Sequence, residues 1–149
     1  MDLEDDQLAK RKGELYSRRT LSFNEMELIR YSNLIEAGKY QLAYDSIKIL
    51  LPKLKSDGLK AEALLNLSEA SFMLGKLEES LTSALSAKEI NPSDEKWIAP
   101  FAAYYAARVY HKRKDLKSTA AMIEQVEDYS DFDYQNKLKN LLFTVTEKE

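Results

Sequence analysis

From residue 23 onward, segments with apolar side chains at helical spacing alternate with short polar breaks. Apolar residues recurring at intervals of three and four fall on one face of an α-helix. This pattern predicts helices over 23–37, 40–54, 59–74, 77–90, 97–113, 116–128 and 132–146. Residues 1–22 lack it. Residues 10–19 carry five basic groups, so 1–22 reads as an N-terminal segment, partly disordered or a marginal helix. Ser22 with Glu25 three residues on is a capping-box pattern, in which each side chain satisfies a free backbone donor of the other. Pro52 should end or kink the second helix. Asn91-Pro92-Ser93-Asp94 is a turn and helix-start signal. Pro100 falls in a first turn, where proline is tolerated. Ser130 and Asp133 are candidate caps for the last helix.

The breaks are themselves regular. Gly38-Lys39-Tyr40, Gly75-Lys76-Leu77 and Lys114-Asp115-Leu116 each separate two helical segments, at spacings of 37 and then 39 residues. Glycine just past a helix end takes the left-handed conformation at little steric cost. A supersecondary unit recurring at this period points to stacked helical repeats.

Composition narrows the class. The 149 residues suit one domain, with 44% apolar and 32% charged residues. Four Gly and three Pro leave little material for an all-β fold. The formal net charge of −3 argues against a nucleic-acid partner, which asks for a basic face. No cysteine is present, which excludes disulfides, thiolate nucleophiles and cysteine-ligated metals. Met1 to Asp6 is acidic with no apolar run behind it, unlike a signal peptide, and no apolar run is long enough for a bilayer. The expectation is a cytoplasmic chain, whole or part of a longer protein, with no membrane partner.

Residues 61–94 sharpen the repeat. Leu64, Leu67 and Ser68 supply two large knobs and a small one in the first helix. Gly75 and Leu77 form the turn, Ser80 and Ala87 are small residues on the second helix, and Pro92 closes the unit. This segment resembles one tetratricopeptide (TPR) repeat from end to end, although Ser71 and Ala84 stand where the family usually has aromatic residues. The flanking units match less closely. Gly38, Tyr40, Ala43, Ile47 and Leu50 fit in the first, where a stripe through Leu28, Tyr31 and Ile35 replaces the expected one. Ala103, Ala106, Ala107, Tyr110, Leu116, Thr119, Ile123 and Val126 make up the third. Trp97 to Phe101, Tyr105, Tyr110 and Asp128 to Asp133, with a Lys/Asn/Leu-rich final helix, also resemble the C-terminal region of the tetratricopeptide-repeat-39 type family, which implies an adaptor role. The resemblance implies an all-α, right-handed solenoid. It would comprise three helical hairpins over 23–128 and, over 129–149, a capping helix with a frayed C-terminus.

In such a solenoid the first helices line a concave groove. The groove positions implied by the resemblance are Leu28, Ser32 and Ile35, then Glu62, Leu65, Asn66, Glu69, Phe72 and Met73, then Phe101, Tyr104, Arg108 and His111. Aromatic and Arg side chains in a groove are typical anchors for a partner. One ligand class of the family, the acidic chaperone C-terminus, needs a clamp of Lys and Asn. Only Asn66 is in place, and Leu28, Ser32, Phe101 and Tyr105 stand at the other positions, so that ligand is not expected.

Catalytic and cofactor signatures are missing. His111 is the single histidine, and Lys112, Arg113 and Lys114 beside it read as a basic helix C-terminus favoured by the helix dipole. Gly38-Lys39 and Gly75-Lys76 lack the second glycine and the hydroxyl of a phosphate loop. No metal set, calcium loop or cofactor motif is visible. The expectation is a non-catalytic scaffold that holds a protein or peptide, without cofactor. The alternative is a structural subunit that self-associates through the groove or the stack end, making it a homo-oligomer.

Overall fold

The computed structural model describes residues 22–129, and within them every regular element is helical. Six α-helices follow one another: α1 Phe23–Glu36, α2 Tyr40–Leu50, α3 Asp57–Met73, α4 Leu77–Ile90, α5 Ile98–Lys112 and α6 Leu116–Asp128. The helix expected over 132–146, its caps Ser130 and Asp133, and residues 1–21 lie outside the described residues.

Local chemistry accounts for most boundaries. The Ser22 hydroxyl accepts from the Glu25 amide at 3.1 Å and starts α1. Asp115 does the same for α6, accepting from the Ser118 amide at 3.1 Å, and its carboxyl is held below the usual carboxylate range by Ser118. Two expected ends are corrected. Helix α2 stops at Leu50 and tightens into a 3-10 turn over Leu51–Lys53, because Pro52 has no amide proton to continue the ladder. Helix α3 begins at Asp57, where Ser56 caps the Leu59 amide at 3.4 Å; the cap residue overrides the glycine at position 58.

The three hairpin turns are built alike. In each, the residue after the helix C-cap has positive φ: Gly38 at 79°, Gly75 at 78° and Lys114 at 61°. The amide of that residue returns to the carbonyl three residues back (Gly38 to Ile35, Gly75 to Phe72, Lys114 to His111). The next amide reaches further back (Lys39 to Leu34, Lys76 to Ser71, Asp115 to Tyr110). This paired pattern is a Schellman motif.

Packing follows the same recurrence. Each helix packs on its sequence neighbours, and α1 also touches α3, as α3 touches α5. One core cluster joins hairpin α1–α2 to α3 through Leu28, Tyr31, Tyr44, Ile47, Leu50, Leu54, Ala63, Leu67 and Ala70. A second joins α3 and α4 to α5 and α6 through Ala61, Leu65, Ala87, Ile98, Phe101, Ala102, Tyr104 and Val126. Between α3 and α4 the helices meet at Ser68 and Ser80, both fully buried. The equivalent pairs, counted from the turns, are Tyr31 with Ala43 and Ala107 with Thr119. In α1 the stripe runs through buried Leu28 and Tyr31 and half-buried Ile35, and the Tyr31 hydroxyl donates to Glu27 at 2.6 Å.

Candidate functional site

The positions assigned to the groove divide by depth. Leu28, Leu65, Phe101 and Tyr104 are buried in the core clusters. For Leu65, Phe101 and Tyr104 the reason is the approach of α3 to α5, where Ala61, Ala102 and Ala103 are small; Leu28 is covered by α2 and α3. An open face holding the whole row is therefore corrected to a narrower one. Ser32, Ile35, Glu62, Asn66, Glu69, Phe72, Arg108 and His111 remain partly exposed, and Met73 is exposed.

Arg108 organises the centre of that face. Its Nη2 donates to Glu69 Oε2 at 2.5 Å, an ion pair between helices α3 and α5. The guanidinium carbon lies 3.9 Å from the Phe72 ring centroid, 4.8 Å from Tyr105 and 5.8 Å from Tyr104. The Lys112 ammonium, one turn further along α5, lies 5.2 Å from the same Phe72 ring. A planar cation against an aromatic face gains roughly 0.5–2 kcal/mol, the more so where water is thin. Arg108 Nε is buried without a hydrogen-bond partner.

Two tyrosines lie beside Arg108, Tyr104 buried and Tyr105 half-buried. Burial raises the Tyr104 phenol above its ordinary value, with the Arg108 charge pulling the other way and Glu69 adding to the rise. Burial raises the Tyr105 phenol further, again helped by Glu69 and opposed by Arg108. Both stay protonated at neutral pH. The arrangement offers a rigid aromatic and cationic surface, bordered by Asn66 and Met73, that can accept a side chain or a helix edge.

A second polar cluster ties the second helices together. The Tyr44 hydroxyl donates to Glu79, with both carboxylate oxygens at 2.6 Å, and Lys48 Nζ reaches Glu79 at 3.3 Å. Lys48 and Lys76 lie 5.1 and 5.0 Å from the Tyr44 ring centroid. The Tyr44 hydrogen bond, then Lys48, holds the Glu79 carboxyl below its usual range. Sequence reasoning passed over this cluster. Its partners come from different hairpins, and their one signal was a tyrosine and a glutamate close to one repeat length apart.

Among the described residues, no group of three His, Asp or Glu side chains is placed to hold a metal ion. Nor is any described helix long and apolar enough to cross a membrane. No protein-family model, curated protein or solved structure matches this chain.

Proposed function

We propose that the chain is a TPR-like solenoid of three helical hairpins that acts as a non-catalytic scaffold and holds a partner protein or peptide against the face formed by α3 and α5. The observation that carries this reading is the Phe72–Arg108–Glu69 cluster. It joins two first helices of successive hairpins and leaves aromatic and cationic surface partly open. The recurrence of one turn geometry at three equivalent positions supports the repeat assignment. Because the helices brace one another, the receptor loses little freedom on binding, and a docked peptide or helix bears most of the ordering cost.

The test is affinity capture from extracts of the source cells with the intact chain and with Met73→Glu and Lys112→Glu variants. Both positions are exposed, so the fold tolerates the change. A discrete polypeptide held by the parent chain and lost with either variant supports the reading. Retention by both variants contradicts it.

A further inference from the structure

Among the described residues, the first hairpin, α1 and α2, carries most of the exposed large apolar side chains. Of seven large apolar side chains exposed among the described residues, five lie on α1 and α2. They are Phe23 at 68% exposure, Met26 at 48%, Ile29 at 39%, Leu42 at 55% and Ile49 at 66%. Scattered apolar residues on a surface need no explanation, but a cluster of them on one hairpin does.

The internal recurrence says what such a surface is shaped for. Counting from the turn residues Gly38, Gly75 and Lys114, Met26 is equivalent to Ala63 in α3 and to Ala102 in α5. Both alanines are fully buried, Ala63 in the cluster shared with the preceding hairpin and Ala102 in the cluster shared with α3 and α4. Phe23 is equivalent to partly exposed Lys60 in α3 and to fully buried Ala99 in α5. Leu42 is equivalent to Glu79, the residue that takes the Tyr44 hydroxyl of the preceding hairpin. The first hairpin therefore presents Met26 and Leu42 at register positions by which the later hairpins receive their predecessor. Not every position follows: Arg30 and Asn33 stand in the places of Leu67 and Ala70, so one edge of the surface is polar.

We infer that this face is a docking site for a further helical hairpin, seated on α1 and α2 as the first hairpin is seated on α3 and α4. The chemistry of the occupant follows from the face. It carries an aliphatic or aromatic seam over Phe23, Met26 and Leu42, as the first hairpin offers Tyr44, Ile47 and Leu50 to α3. It turns hydrogen-bonding groups toward Arg30 and Asn33. This site is separate from the Phe72–Arg108 face and stands whether or not that face binds a peptide. In a linear repeat array, stability is close to a sum of units and nearest-neighbour interfaces, so an extra hairpin that docks here must add to the whole.

The probe is the chain's own first unit. A copy of residues 23–59, one 37-residue period, is inserted between Ser22 and Phe23 of the full chain. Urea unfolding then compares the parent, the extended chain, and the extended chain with Met26→Glu and Leu42→Glu in the original hairpin. Both residues are exposed in the parent, which should fold with them changed. Docking predicts one transition at a higher midpoint, with a urea slope larger by about one quarter, as the added surface requires. The two substitutions should remove that gain. A separate early transition for the added hairpin, or a gain indifferent to the substitutions, overturns the proposal. So does a parent chain that light scattering shows to be a dilution-resistant dimer broken by Met26→Glu, since a second copy would then be the occupant.

Discussion

Ser68 and Ser80 each donate a hydroxyl hydrogen bond to the other's carbonyl oxygen, both at 2.8 Å, and so tie α3 to α4. The hydroxyl oxygens themselves stand 3.2 Å apart. Both residues are fully buried, so there is no room for a larger side chain. Ser80→Ala should lose about 1 kcal/mol, the net worth of one such bond. Ser80→Leu should lose more, about 2–3 kcal/mol, by forcing the helices apart. Urea unfolding of the two variants orders them, and a Leu variant as stable as the Ala variant would deny that the approach is tight.

Lys114 does a glycine's job in the third turn. Its φ of 61° matches the left-handed backbone of Gly38 and Gly75, which an L side chain adopts at a cost of about 1–2 kcal/mol. Lys114→Gly should stabilise the protein by about 1 kcal/mol after the entropy a glycine adds to the unfolded chain. Gly75→Ala should destabilise by a similar amount. An added Cβ there meets nothing within 4 Å, so the loss would report backbone strain alone. Thermal and urea unfolding check both signs.

Arg108 is fixed by an ion pair and by three rings. Arg108→Met keeps the apolar stem but leaves the Glu69 carboxylate without its cation in a half-buried site. A loss of about 1–2 kcal/mol is expected. Arg108→Lys should recover only part of it, because an ammonium cannot stack flat on Phe72. Equal stability of the Lys variant and the parent would show that the rings contribute nothing.

Alkaline pH should loosen the seam beside Arg108. Burial raises the Tyr104 and Tyr105 phenols above the value of 10 that an exposed phenol has. A raised folded-state pKa means stability that is intact below pH 10 and lost as pH climbs toward and through the folded-state value. Stability should therefore decline above pH 10, and Tyr105→Phe should make that decline shallower. Urea midpoints from pH 8 to pH 11, with tyrosinate absorbance followed alongside, would show it. A profile that Tyr105→Phe leaves unchanged would count against a raised phenol at this position.

The helices were legible where local signals decide them. Ser22, Pro52, Gly38 and Gly75 act within a few residues, and the structure follows them closely. The start of α3 was not, because Gly58 obscured the cap at Ser56. The small residues Ser68 and Ser80 announced a close helix pair, since only a tight approach asks for small side chains at both places. The depth of Leu65, Phe101 and Tyr104 was hidden for the opposite reason. Periodicity ranks the faces of one helix but does not say how nearly the next hairpin closes over them. The Glu69–Arg108 pair and the Tyr44–Glu79 bond cross between hairpins, and single-helix spacing carries no trace of such pairs.

The most direct test of the docking face is site-specific photocrosslinking in extracts of the source cells. A photoreactive phenylalanine analogue replaces Met73, beside the Phe72–Arg108 cluster, or Ala121, exposed on α6. A partner held on the α3–α5 face predicts a discrete crosslinked polypeptide from position 73, weakened by Lys112→Glu, and none from position 121. Crosslinks of equal yield and identity at both positions, or none at position 73, would contradict a partner-binding role for that face.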